Sequence, residues 1–244
     1  MSLFDHVLSL GDNALILGQQ LSALTGHGPV LEEDIATANI ALDLVGEARL
    51  WLSLAGEIEG AGRSEDDLAF LRDEIDFRNV LLVEQPNGDF ADTMARQFLF
   101  DAWHEALLAA LCASADPRIA GIAGKCRKEA LYHLSHSAGW VIRLGDGTAF
   151  SHDRMQQAVR NLWPYTGELF EADAGGTALI GANAGDIRPL WRQRVADTLA
   201  RAALEVPADR WMQGGGRRGI HSEHMGRLLA EMQHIPRSHP GARW

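Results

Sequence analysis

Asp43, Glu47, Asp101, His104 and His133 fall on otherwise apolar lines of helical spacing. On one segment the line is Ala36, Ile40, Asp43, Glu47, Leu50 and Leu54, at alternating steps of four and three. On a second it is Met94, Gln97, Asp101, His104, Leu108 and Leu111. A third runs Ile122, Cys126, Ala130, His133, Ser137, Trp140 and Leu144, and a fourth runs Asp12, Leu15, Gln19 and Ser22. Steps of three and four put side chains on one helix face, so each line turns ionisable or polar groups toward a core. A buried carboxylate needs a partner or a metal ion. The chemistry this suggests is a di-iron centre, in which two helices each give one carboxylate and two others each give Glu-x-x-His.

The spacing fails that pattern. Three residues after Glu47 stands Leu50, and three residues before His133 stands Ala130. Glu129 lies four before His133, off the line, and Gln19 offers a neutral amide where a carboxylate is wanted. Glu47, Asp101 and His133 remain, against the roughly six protein ligands that two irons take. Three readings of these residues stay open. They form a buried network, with Glu47 and Asp101 reaching His133, Arg49 or Gln19. They hold a single metal with substitutes from Asp43, His104, Glu105 or Glu129. Or they face solvent or another helix.

The elements that must position these residues are helices. Apolar periodicity and stop signals predict core helices over about 3–24, 32–58, 92–112 and 117–144. A short helix follows an N-cap at Ser64 and carries on toward Phe77, and a turn is expected at Pro86-Asn87-Gly88. Asp116-Pro117 starts the fourth long helix. Ser151 is expected to cap a helix to about Phe170, then comes a Gly/Ala-rich loop from Ala174 to Gly185. Helices at about 188–204 and 222–232 and an extended tail with two prolines complete an all-α chain. Four long helices with accessory ones, over 1–244, make a single-domain bundle pattern.

Composition excludes several functions. A net charge of −11 argues against a general nucleic-acid role. No apolar run reaches the roughly 18 residues of a membrane span, and the N-terminus lacks a signal-peptide pattern, so a cytoplasmic protein is expected. Cys112 and Cys126 are too few for a disulfide framework and read as small buried hydrophobes. Trp51, Trp140, Trp163 and Trp191 read as core, or alternatively as a partner interface. Gly214-Gly215-Gly216-Arg217-Arg218-Gly219 is a flexible basic loop. Arg217 and Arg218 suit a phosphate, a partner contact or a solvated surface. His221-Ser222-Glu223-His224 has a metal-like spacing but reads better as a capping segment, with Ser222 as the cap. No nucleophile elbow, P-loop or dinucleotide fingerprint occurs.

Several blocks together resemble a known family. They are Leu10-Gly11-Asp12-Asn13, residues 38–46 (ANIALDLVG), residues 81–93 (LLVEQPNGDFADT), Asp101-Ala102-Trp103-His104, residues 128–133 (KEALYH), and 219–226 with 229–233. The chain resembles the structural, non-catalytic subunit of bacterial phenylacetyl-coenzyme A epoxidases, nearly end to end. The resemblance implies a ferritin-like four-helix bundle with accessory helices and no metal site. It places Ala130 where the catalytic relative has a glutamate and His133 where that relative keeps its histidine. Gln19, Glu47, Leu50, Asp101, Ala130 and His133 are then the degenerate di-iron positions. No residue of this chain is expected to be catalytic, and no cofactor is expected in it. The implied partners are a homologous di-iron oxygenase subunit and further epoxidase subunits, with O2 and NADPH consumed through a reductase. The arginine pair would then meet coenzyme A phosphates or a partner. The alternative is a metal-binding ferritin-like oxygenase or oxidase using the substitute ligands, with a storage protein ranked below it.

Overall fold

A computed structural model describes residues 2–171 and 187–242. Among the described residues the chain is helical throughout, without a strand. The helices are α1 (Leu3–Ser22), α2 (Leu31–Glu59), α3 (Glu65–Phe70), α4 (Phe90–Leu111), α5 (Pro117–Gly145), α6 (Ala149–Leu162), α7 (Ile187–Arg201) and α8 (Glu223–Ser238). The expected loop at Ala174 to Gly185 lies outside the described residues. Contacts group the chain into two compact units, Met1–Pro86 with Gly214–Trp244, and Asn87–Gln213.

The first unit is built on an antiparallel hairpin of α1 and α2. Gly11 lies against Leu52, and Gly18 lies against Ala41, Leu44 and Val45. A Cβ on Gly11 would come within 2.7 Å of Leu52 Cδ2, so small residues on α1 let the two helices close. The α1 face carries Val7, Leu8, Leu15, Ile16 and Leu17 into the core. Ser64 caps α3 through a capping box with Asp67, as the sequence suggests.

The second unit is built on α4 and α5, also antiparallel. Asp101 meets Ser137 and Glu105 meets Arg127. Asp89 caps α4 and Asp116 caps α5 with Pro117 in its first turn. α7 lies along α4: Trp191 Nε1 donates to the Leu99 carbonyl at 3.0 Å, and Arg194 donates to the Ala102 carbonyl at 3.0 Å.

Four expectations need correction. The helix after Ser64 stops at Phe70 rather than near Phe77. The Arg72 guanidinium takes the Leu68 and Asp76 carbonyls, which breaks the helical pattern there. α6 begins at Ala149, because Thr148 is the cap and Ser151 is its capping-box partner; it ends at Leu162, with Pro164 two residues on. α8 does not end near Met232 but continues through Pro236 to Ser238. Its last turn is held by Arg237, which donates to the Phe70, Leu71 and Arg72 carbonyls. Cys126 is buried but Cys112, at the end of α4, is exposed. Trp51, Trp163 and Trp191 are buried, while Trp140 is half-buried against Phe90, with ring centroids 5.0 Å apart.

Candidate functional site

In the first unit, Glu47 is buried on α2. Trp51, one turn on, donates its Nε1–H to Glu47 Oε1 at 2.9 Å. Leu50 and Gln19 are half-buried and bring no charge. Arg49 does not reach Glu47. It is exposed, and its partner is Glu65 at 3.2 Å. The helical phase explains this: position 49 lies two residues from 47 and points elsewhere.

In the second unit, Asp101, His104, Glu105, Ala130, His133 and Ser137 are all buried. The Ser137 hydroxyl donates to Asp101 Oδ2 at 2.7 Å. Burial pushes the Asp101 carboxyl above its usual range, and His133, Ser137 and His104 offset this only partly. Arg96 is fully buried one turn earlier. Its Nη2 donates to Asn87 Oδ1 at 2.8 Å, and burial lowers the guanidinium to about 10 against the pull of Asp101 and Asp92. Gln97 is buried, and neither end of its amide has a hydrogen-bond partner among the described residues.

Of the substitute ligands, Glu105 is already engaged. Its two oxygens accept from Arg127 Nε at 3.0 Å and Arg194 Nη2 at 2.8 Å. Asp43 and Glu129 are half-buried, and the His104 ring lies tilted against Phe100 with centroids 5.1 Å apart. Among the described residues no group of three or more His, Cys, Asp or Glu side chains is placed to hold a metal ion. A di-iron centre does not fit this donor set. Its carboxylates spend acceptor capacity on Trp51 and Ser137, and the position three before His133 is a buried alanine.

A further buried polar centre lies elsewhere among the described residues, and sequence reasoning missed it. Glu84, fully buried, accepts from Asn79 Nδ2 at 2.8 Å, from the Ser222 N–H and hydroxyl at 2.7 Å, and from His221 Nδ1 at 2.6 Å. His221 Nε2 faces the Phe77 carbonyl at 3.2 Å. Both ring nitrogens meet acceptors, so the imidazolium form satisfies both. Burial alone would lower the His221 pKa, but Glu84 and the Phe77 carbonyl raise it overall. Ser222 occupies the N-cap position of α8, yet its side chain serves Glu84 rather than the helix. A second lock joins Asp12 on α1 to Arg72 through the two terminal guanidinium nitrogens, with the Arg78 N–H also donating to Asp12 at 2.8 Å. Asn13 adds a bond from the Val80 N–H at 2.8 Å. The one signal in the sequence is that Asp12, Asn13, Glu84, His221 and Ser222 lie in the blocks that carry the family resemblance.

The 214–219 segment is a tight turn rather than a free loop. A Cβ on Gly216 would meet the Asn79 carbonyl at 2.2 Å, and Gly219, at φ 77°, packs on the Ile75 carbonyl. Packing therefore accounts for these glycines. Arg217 is half-buried and Arg218 exposed.

Comparison with known proteins adds two findings. The chain matches the family described as phenylacetic acid catabolic protein over residues 1–244. It is 50% identical over 243 residues to a subunit of the 1,2-phenylacetyl-CoA epoxidase of Escherichia coli (strain K12), covering 98% of each chain.

Proposed function

The chain belongs to the phenylacetic acid catabolic protein family, and we propose that it is the structural subunit of a phenylacetyl-coenzyme A epoxidase. In this reading the two irons belong to a homologous subunit. The complex uses O2 and NADPH, through a reductase, to epoxidise the aromatic ring in phenylacetate catabolism. This chain holds that relative in shape and binds no iron of its own. No helix among the described residues is long and apolar enough to cross a membrane.

The observation that carries the reading is the full-length similarity to a protein named as one subunit of that epoxidase. The site geometry supports the non-catalytic part. Glu47 and Asp101 are bonded to side chains of their own unit, and Ala130 supplies no ligand. Arg217 and Arg218 are our candidates for contact with coenzyme A phosphates or with another subunit.

The test is metal analysis of the chain produced with iron, alone and together with its di-iron relative. The expected result is iron only in the complex, with epoxidation requiring both proteins. Two tightly bound irons per chain in the isolated protein would overturn the proposal.

A further inference from the structure

Two buried amides in the first unit each leave one hydrogen-bonding atom unmatched. Asn13 on α1 is 2% exposed and Asn79 is 0% exposed. Asn13 Oδ1 accepts the Val80 N–H at 2.8 Å, while its Nδ2 has no hydrogen-bond partner among the described residues. Asn79 Nδ2 donates to Glu84 Oε1 at 2.8 Å, and its Oδ1 has no partner there either. The neighbours fix which end is which. Turning the Asn13 amide over would set its NH2 against the Val80 N–H, and turning Asn79 over would set its oxygen against the Glu84 carboxylate. One unmatched atom is therefore a donor and the other an acceptor.

The chain holds the two in one neighbourhood. Asp12 and Asn13 are consecutive on α1, and they take the N–H groups of Arg78 and Val80, each at 2.8 Å. Asn79 is the residue between those two anchors. Native cores match buried polar atoms with protein groups or with enclosed water. A group that answers both amides must accept from Asn13 Nδ2 and donate to Asn79 Oδ1. A carboxylate only accepts and an ammonium only donates, whereas a hydroxyl does both. Both side chains are buried, so the ligand is one that folding encloses, and water is the smallest group with this chemistry.

We propose that Asn13 and Asn79 bind one buried water molecule that bridges Nδ2 of the first to Oδ1 of the second. The water turns separate bonds into a continuous chain that runs from Asn13 through Asn79 and Glu84 to His221. It thereby ties α1 to the segment ahead of α8. The site belongs to the fold and does not depend on the structural role proposed above.

The test is a crystal structure of the full chain that shows ordered water, together with a double-mutant cycle of Asn13→Ala and Asn79→Ala read by urea unfolding. The expected structure has one water at roughly 2.7–3.2 Å from both amide atoms. Each single variant also loses its bond to protein, but the cycle isolates what the two side chains share. The unfolding constant of the double variant is expected to rise less than the product of the two single effects, by about threefold or more. A direct bond from Asn13 Nδ2 to Asn79 Oδ1 overturns the site, as does a structure with no water between them. A water in place with single effects that multiply without coupling overturns the bridge. If an alanine variant fails to fold, the structure of the unsubstituted chain still decides.

Discussion

Glu84 and His221 lie 137 positions apart in the chain and meet at 2.6 Å, both side chains fully buried. The pair ties the segment ahead of α8 to the turn at 81–84, with Ser222 and Asn79 completing the bonds to the carboxylate. A folded-state pKa above the ordinary 6.5 means the folded protein holds the His221 proton more tightly than the unfolded chain. The stabilisation is complete below about 6.5. It is lost as pH rises through the raised folded value. The urea midpoint is therefore expected to fall on going from mildly acidic to alkaline pH. His221→Gln is expected to lower the midpoint at acidic pH and flatten this fall. An equally steep fall in the variant would exclude His221 as its source.

Asp12 and Arg72 form a buried pair, and removing one partner leaves a charge in the core. Asp12→Ala is expected to cost about 3–5 kcal/mol, measured by urea unfolding. The double variant Asp12→Leu, Arg72→Met removes both charges. It is expected to recover only part of the loss, because Arg72 also serves the Leu68 and Asp76 carbonyls and Asp12 also accepts from the Arg78 N–H. Full recovery would show that those backbone bonds add little.

This pair also shows why part of the fold is hidden in the sequence. The long helices are legible because their signals are local: heptad spacing on α2 and α5, and Asp116-Pro117 at a helix start. The stop at Phe70 is not, because Arg72 ends the helix while held by a carboxylate 60 residues away. Pro236 looks like a breaker, but Arg237 bonds to three carbonyls at 70–72 and keeps the last turn of α8 wound. At the candidate site, the absence of Glu-x-x-His is readable from spacing alone. The Glu47–Trp51 bond spans four residues and is local, but the di-iron pattern points to partners on other helices and hides it. Glu84, His221 and Ser222 give no local pattern that pairs them.

Asp101 is expected to behave as a carboxyl that resists ionisation. Burial holds its folded pKa above 3.8, so the folded state keeps the proton longer than the unfolded chain. Its contribution to stability therefore falls as pH rises from 3.8 through the folded value. Asp101→Asn keeps the shape and accepts a bond from Ser137 through its amide oxygen. The variant is expected to lie within about 1 kcal/mol of wild type at acidic pH and to show a smaller loss as pH rises. A uniform loss of several kcal/mol at every pH would instead mean that the ionised carboxylate is what the site requires.

Glu47 separates the structural reading of the α2 stripe from the metal-binding one. Its Oε1 accepts the Trp51 Nε1–H inside the core, so Glu47→Ala leaves a buried donor unpaired and opens a small void. The expected loss is about 1–3 kcal/mol in urea unfolding. Glu47→Gln keeps an acceptor for Trp51 and is expected to recover most of that loss. Neither variant is expected to change the iron content of the complex with its di-iron relative. Epoxidation measured below the unfolding temperature is expected to stay within about twofold of wild type, since a factor of about two is under roughly 0.5 kcal/mol. Loss of iron and activity together in Glu47→Gln, with stability retained, would make Glu47 a ligand and remove the basis for a purely structural role.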